Sequence, residues 1–168
     1  WCVESDFEKL DGVVSVLSGY ARGNGDDGGN IDNPNYENYA EKGYREVVEI
    51  TYDSAKLNYA NIVEYLIKHS DVTDVEGSFH DRGIQYAPAI YYGNEKEREI
   101  ALKVITEIDA KKIFDKPIKL AVLPKTKFFP AEAYHQDYYK KNPIRYEYYR
   151  NASGRDDFIE KHWKNKKN

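Results

Sequence analysis

An α/β or α+β domain around a small sheet is what this sequence predicts. Short stretches rich in β-branched residues alternate with stretches whose apolar residues repeat at helical spacing. At 168 residues the chain is long enough for one domain with a true core, and residues 1–168 are assigned to a single domain.

The chain opens on Trp1-Cys2-Val3-Glu4-Ser5-Asp6-Phe7-Glu8-Lys9-Leu10. Val3, Phe7 and Leu10 recur at i, i+4 and i+7, an apolar stripe along a short helix. Glu4, Asp6 and Glu8 stay off that stripe and suit the positive end of a helix. Asp11-Gly12 should stop it. Residues 13–17 read as a strand, apolar enough to be buried on both faces. Residues 18–43 read as a long polar loop carrying Gly23, Gly25, Gly28, Gly29 and Pro34. Its Tyr20, Tyr36 and Tyr39, with Tyr44 just beyond, argue against a plain solvated linker.

Residues 46–52 alternate and are rich in β-branched side chains, so they predict a strand, closed by Asp53-Ser54. A helix is predicted over about 59–68, with Ile62, Val63, Leu66 and Ile67 on one side. Residues 71–87 form a second loop, and 88–92 a strand ending at Gly93-Asn94. The clearest helix runs over about 95–114, with Ile100, Val104, Ile108 and Ile113 inward. Residues 118–123 predict a further strand, broken by Pro124. A short helix over 133–140 starts after Pro130 and ends at Asn142-Pro143. Periodicity is then lost until a weak helix over 156–164, and the tail 164–168 is expected to fray.

Charged residues make up 32% and hydrophobic ones 40%, and a net charge of -4 does not steer the chain towards nucleic acid. No apolar run approaches a membrane span. There is no phosphate loop, dinucleotide turn or paired-cysteine site, and His69, His80, His135 and His162 are too scattered to propose zinc. No bound metal or cofactor is therefore expected. The single cysteine excludes an internal disulfide framework and fits a reducing compartment, so the cytoplasm is the expected location. Methionine is absent, so the chain is expected to begin inside a longer sequence, with room for a targeting signal upstream. Cys2 sits where helix N–H groups favour thiolate over thiol; the bland alternative is a small buried hydrophobe.

Taken together, Trp1-Cys2-Val3-Glu4, Gly12-Val13, Ser18-Gly19-Tyr20, Pro34-Asn35-Tyr36-Glu37, Glu46-Val47-Val48, Tyr52-Asp53, Asp81-Arg82-Gly83-Ile84-Gln85-Tyr86 and Phe128-Phe129-Pro130-Ala131-Glu132-Ala133-Tyr134-His135-Gln136 resemble peptide methionine sulfoxide reductases of the A type. The resemblance spans essentially the whole chain. It implies a two-layer plait with a small mixed sheet, flanking helices and long wrapping loops. It also implies thiol-dependent reduction of the S epimer of methionine sulfoxide, free or in oxidised proteins, through a cysteine sulfenic acid. By the resemblance, Glu46 is the acid that protonates the sulfoxide oxygen, and Tyr36 and Tyr86 are phenols that grip it. Trp1 forms the methyl pocket, and Asp81 helps to order the site. No bound cofactor is implied, only an external thiol reductant of the thioredoxin or glutathione type, and a monomer is expected.

The chemistry is consistent with those residue types. A sulfoxide is a poor electrophile whose oxygen must leave, so proton donation to it is the main task, and a desolvated glutamic acid suits that task near neutral pH. Paired phenols would cradle the same oxygen, and an indole face would attract a sulfonium-like centre. Without the resemblance, Glu46 reads as a solvated acid at a strand start, Tyr36 and Tyr86 as half-buried aromatics, and His135 as structural.

One departure stands out. The family pattern is Gly-Cys-Phe-Trp, and this chain begins at the Trp, so the family's nucleophile maps before residue 1. Two accounts follow: a chain lacking its first strand and nucleophile, which is preferred, or Cys2 acting from a shifted position. On the first account Cys2 is a backup or resolving thiol. A different class of function is a methionine-sulfoxide-binding module that has lost its nucleophile; a hydrolase using Glu46 and Asp81 ranks last.

Overall fold

The computed structural model describes residues 1–26 and 33–164. Gly28 and Gly29 of the expected loop, and residues 165–168 of the expected frayed tail, lie outside the described residues. The class is as expected, a mixed α/β fold, with the strands among the described residues distributed over three small sheets.

Helix α1 (Cys2–Glu8) leads into β1 (Val13–Arg22), which pairs antiparallel with β2 (Tyr44–Tyr52). β1 runs five residues past its predicted end, because its ladder with β2 continues to Arg22 opposite Tyr44. The first part of the predicted long loop is therefore sheet. The expectation that residues 13–17 are buried on both faces is also corrected: Val14 is 68% exposed and Leu17 42%. β7 (Phe129–Pro130) covers the other edge of β1 only at Gly19 and Tyr20, so the start of the strand has a neighbour on one side. Gly19 is required at that crossing, since a Cβ there would lie 2.4 Å from the Phe128 ring.

Helix α2 (Tyr59–His69) starts at a reciprocal cap: the Asn58 side chain accepts from the Asn61 N–H at 2.8 Å, and the Asn61 side chain accepts from the Asn58 N–H at 3.1 Å. Its Val63 and Ile67 enter the main core with Val72, Ile90, Ala101, Ile108, Phe114 and Leu120. Helix α3 (Glu95–Ala110) is capped by Asn94, which accepts from the Glu97 N–H at 2.9 Å. It ends four residues before its predicted end, where Lys112 turns the chain with a φ of 51°. β5 (Ala89–Tyr92) and β6 (Ala121–Pro124) pair in parallel around α3. β6 is shorter than predicted, because the Ile118 N–H goes to the Asp109 carboxylate and the Lys119 N–H to the Val72 carbonyl.

The second expected loop contains a two-residue hairpin, β3 (Gly77–Ser78) with β4 (Asp81–Arg82), and a 3₁₀ turn at Ile84–Tyr86. The predicted helix over 133–140 is a 3₁₀ turn at Ala133–His135 and a separate single turn, α4 (Tyr138–Lys141). Asp137, at φ 54°, breaks the two apart. Beyond it the sequence reading missed α5 (Pro143–Ser153). The preceding turn does end at Asn142-Pro143 as expected, but Pro143 also occupies the first turn of this next helix, where a missing N–H costs nothing. The last predicted helix is present as α6 (Arg155–Ile159) followed by a wider turn at Glu160–Lys164.

The acids of α1, expected only to suit the positive end of the helix, are also held by distant segments, and Glu4 and Asp6 are buried. Glu4 accepts the Asp137 N–H at 2.9 Å, Asp6 pairs with Arg150 of α5 at 2.7 Å, and Glu8 pairs with Lys140 at 2.6 Å and accepts from the Tyr139 hydroxyl. Helix α1 is thus packed on two sides, with Phe7 towards the core and its acids towards the C-terminal helices.

Candidate active site

The site grows from the start of α1, the N-terminal half of β2 and the segments that cover them. Glu46 lies opposite Tyr20 in the β1–β2 ladder. The β3–β4 hairpin brings in Asp81, and Gly83, at φ 122°, turns the chain directly into the 3₁₀ turn that presents Tyr86. That positive φ strains any residue with a Cβ, so glycine is needed there. Gln136 fastens the 131–136 segment to β1 by accepting from the Ser18 N–H at 2.9 Å and donating to the Ser18 carbonyl at 2.7 Å. That clamp brings His135 to the site, with its ring 4.5 Å from that of Tyr36.

All six residues singled out from the sequence, Trp1, Cys2, Tyr36, Glu46, Asp81 and Tyr86, line one cavity of about 450 Å³. His135 and Tyr149 line it too. Trp1 is fixed by stacking on Tyr138 at 3.8 Å between ring centres and by an edge contact with Tyr149 at 5.7 Å. The Tyr149 hydroxyl donates to the Asp81 carboxylate, which joins the aromatic wall to the acid. Cys2 is buried against Tyr138 and Tyr146.

Burial is the main cause that raises the Glu46 pKa, and nearby Asp81 raises it further. The amino group of Trp1 and a hydrogen bond from the Tyr39 hydroxyl, at 3.4 Å, act in the opposite sense. Tyr36 and Tyr86 are also pushed up, chiefly by burial and then, respectively, by Glu46 and by the balance of Tyr39 and Glu46. Both stay protonated donors near neutral pH. Burial lowers His135, leaving it neutral, so its 3.7 Å approach to Glu132 is neither an ion pair nor a hydrogen bond.

The arrangement sets a protonatable carboxyl, two phenols and an indole wall around a space that admits a small polar group with an apolar neighbour. Sequence reasoning missed Tyr39, Tyr138 and Tyr149 as members of this neighbourhood and treated His135 as structural. Tyr39 was marked only as one of the tyrosines of the long loop, and for Tyr138 and Tyr149 the signal was the total of 16 tyrosines, which gives no positions.

An α/β enzyme handling a small polar oxygen beside an apolar group is the class that this fold and cavity define. The family model described as peptide methionine sulfoxide reductase matches residues 1–167. Peptide methionine sulfoxide reductase MsrA/MsrB of Vibrio cholerae is 49% identical over 162 residues, which are 95% of this chain and 41% of that protein. Peptide methionine sulfoxide reductase MsrA 2 of Staphylococcus aureus is 41% identical over 167 residues, 98% of this chain and 91% of that one. The solved methionine sulfoxide reductase A of Corynebacterium diphtheriae superposes with a TM-score of 0.66 at 27% identity, covering 84% of this chain and 70% of that chain. The chain belongs to the peptide methionine sulfoxide reductase family, A type, and is an oxidoreductase of methionine sulfoxide.

Proposed function

We propose that this chain forms the body of a thiol-dependent reductase for the S epimer of methionine sulfoxide, free or in oxidised proteins, with Glu46 as the proton donor. The observation that carries this reading is the convergence of Glu46, Tyr36, Tyr86, Asp81 and Trp1 on one cavity. A cysteine thiolate attacks the sulfoxide sulfur while Glu46 gives its proton to the sulfoxide oxygen. The oxygen ends on the cysteine sulfur as sulfenic acid, and methionine leaves as the thioether. A second thiol then condenses with the sulfenic acid, releasing water, and an external reductant of the thioredoxin or glutathione class reduces the disulfide. Tyr36 and Tyr86 steady the oxygen as its charge grows, Trp1 walls the methyl side, and Asp81 keeps the Glu46 proton in place. The protein acts as a monomer in the cytoplasm, where reductants of that class keep thiols reduced.

We place the attacking cysteine on a strand upstream of Trp1, so that residues 1–168 are one domain without its first strand. One sheet ends at β2 and another at β5, and the cavity runs between these two edges, lined by Glu46 to Ile50 on one side and Ala87 to Tyr91 on the other. Val3, Ile62, Val63 and Leu66 of α1 and α2 close it with apolar side chains. Paired strand edges facing an apolar slot are completed by another strand. Residues joined to Trp1 would enter beside Glu46, because the Trp1 amino group already lies close enough to influence its pKa. Cys2, 5% exposed beneath Tyr138 and Tyr146, suits an ancillary thiol.

The test is single-turnover reduction of S- and R-methionine sulfoxide peptides by this chain and by its full-length product, with thiols counted before and after. Loss of one upstream thiol with S preference, and no reaction by this chain, is the expected result. Turnover by this chain alone would make Cys2 the nucleophile. Sulfoxide binding without turnover by either would overturn the enzymatic reading. In the same assay Tyr36→Phe should lower the single-turnover rate constant of the full-length product by about 10²-fold, since Tyr86 remains as a donor.

A further inference from the structure

Tyr39 is 3% exposed and does not line the cavity, yet its hydroxyl reaches Glu46 Oε2 at 3.4 Å. Its ring is stacked on Tyr20 at 4.8 Å between centres, and its backbone is tied at both ends: its N–H donates to the Asn35 carbonyl at 2.9 Å, and its carbonyl accepts the Tyr44 N–H at 2.9 Å. A phenol held this firmly behind an acid has little freedom to turn away.

We infer that Tyr39 is a positioning residue for Glu46: its single hydroxyl proton is shared between Glu46 and Tyr86 according to whether the Glu46 carboxyl is ionised. The Tyr86 hydroxyl lies close enough to Tyr39 for each to influence the other's titration, with Tyr86 as the acceptor of the pair. Tyr39 therefore faces two acceptors with one proton. An ionised Glu46 is the stronger acceptor and takes the bond. A protonated Glu46 does not need it, so the proton turns to the Tyr86 oxygen. That leaves the Glu46 proton and the Tyr86 hydroxyl both directed into the cavity. The protonated acid and the well-aimed phenol are thus assembled together. The catalytic consequence rests on the proton-donor reading of Glu46; the hydrogen-bond switch does not.

Glu46 is faced by Tyr39 and Tyr36 from the segment before β2, Tyr20 from β1, Asp81 from β4, Tyr86 from the 3₁₀ turn and the Trp1 amino group. Among these, Tyr39 is the one whose hydrogen bond favours the ionised carboxyl. Tyr39→Phe should therefore move the Glu46 titration midpoint upwards, by about half to one pH unit for so long a bond.

The experiment is a carbon-13 carboxyl titration of this chain, with the Glu46 resonance assigned by its loss in Glu46→Gln. Tyr39→Phe should shift the midpoint up, and 3,5-difluorotyrosine at position 39, a stronger donor of unchanged shape, should shift it down. If Tyr39→Phe does not fold, the fluorinated chain decides by itself. An unchanged midpoint in a folded variant overturns the inference. The falling limb of the pH–rate profile of the full-length product should move with the midpoint. A midpoint that moves while the limb stays fixed would keep the Tyr39 switch and sink the proton-donor role of Glu46.

Discussion

Glu46→Gln should lower sulfoxide reduction by about 10³–10⁴-fold while leaving the fold intact. The change is nearly isosteric, and the amide still accepts from the Tyr39 hydroxyl. It cannot deliver an acidic proton to the sulfoxide oxygen, so the loss falls on the chemical step and not on substrate binding. The wild-type pH dependence should carry the same signature. Glu46 has its pKa raised by burial and by Asp81, so the protonated form persists above the usual carboxylate range. Activity should fall as pH rises through that raised value, and the fall should vanish in Glu46→Gln. Single-turnover rates against pH for both proteins check this; equal rates at pH 7 would remove Glu46 from the proton-donor role. In a product with residues upstream of Trp1, the charged amino group becomes an amide. Its lowering influence on Glu46 disappears, so the limb should lie at higher pH than the carboxyl titration of this chain.

The second large effect concerns stability. Arg150→Met should destabilise the fold by about 3–5 kcal/mol, measured by urea unfolding. The Arg150 guanidinium pairs with Asp6 at 2.7 Å, holds Asp156 through three hydrogen bonds and donates to the Tyr146 hydroxyl at 3.0 Å. Only 5% of the Asp6 side chain is exposed, and its Oδ2 has no hydrogen-bond partner. Removing Arg150 therefore strands a buried carboxylate between α1 and α5. Replacing both partners, as in Asp6→Leu with Arg150→Met, should recover most of the loss, because no charge is then left unpaired. A double variant as unstable as Arg150→Met would mean that packing, not the stranded charge, sets the cost. The pair also bears on the site, since α5 carries Tyr149, which donates to Asp81 and walls Trp1.

Much of this was legible from local pattern. Helices α2 and α3 and strand β2 lie close to their predicted positions, because their apolar spacing and their Asn58 and Asn94 caps act within a few residues. The five candidate site residues transferred by resemblance share one cavity with Cys2, which was singled out by its place at a helix start. Other features were not legible. Pro143 looked like a terminator because a proline that ends one helix and a proline that starts the next are the same letter. The extension of β1 to Arg22 depended on what β2 offered opposite it. The partners of the α1 acids, Asp137, Arg150 and Lys140, were not legible because they lie more than a hundred residues away.

By itself the sequence determined the class of fold, the family and the helices whose periodicity is strong, and it named the candidate site residues. These rest on side-chain identity and on interactions a few residues apart. Tertiary structure alone decided that Tyr39 stands behind Glu46, that Tyr149 binds Asp81 and that β2 and β5 flank a slot. Burial and hydrogen bonding between distant segments are set only when the chain has closed on itself, and the raised pKa of Glu46 arises from that closure.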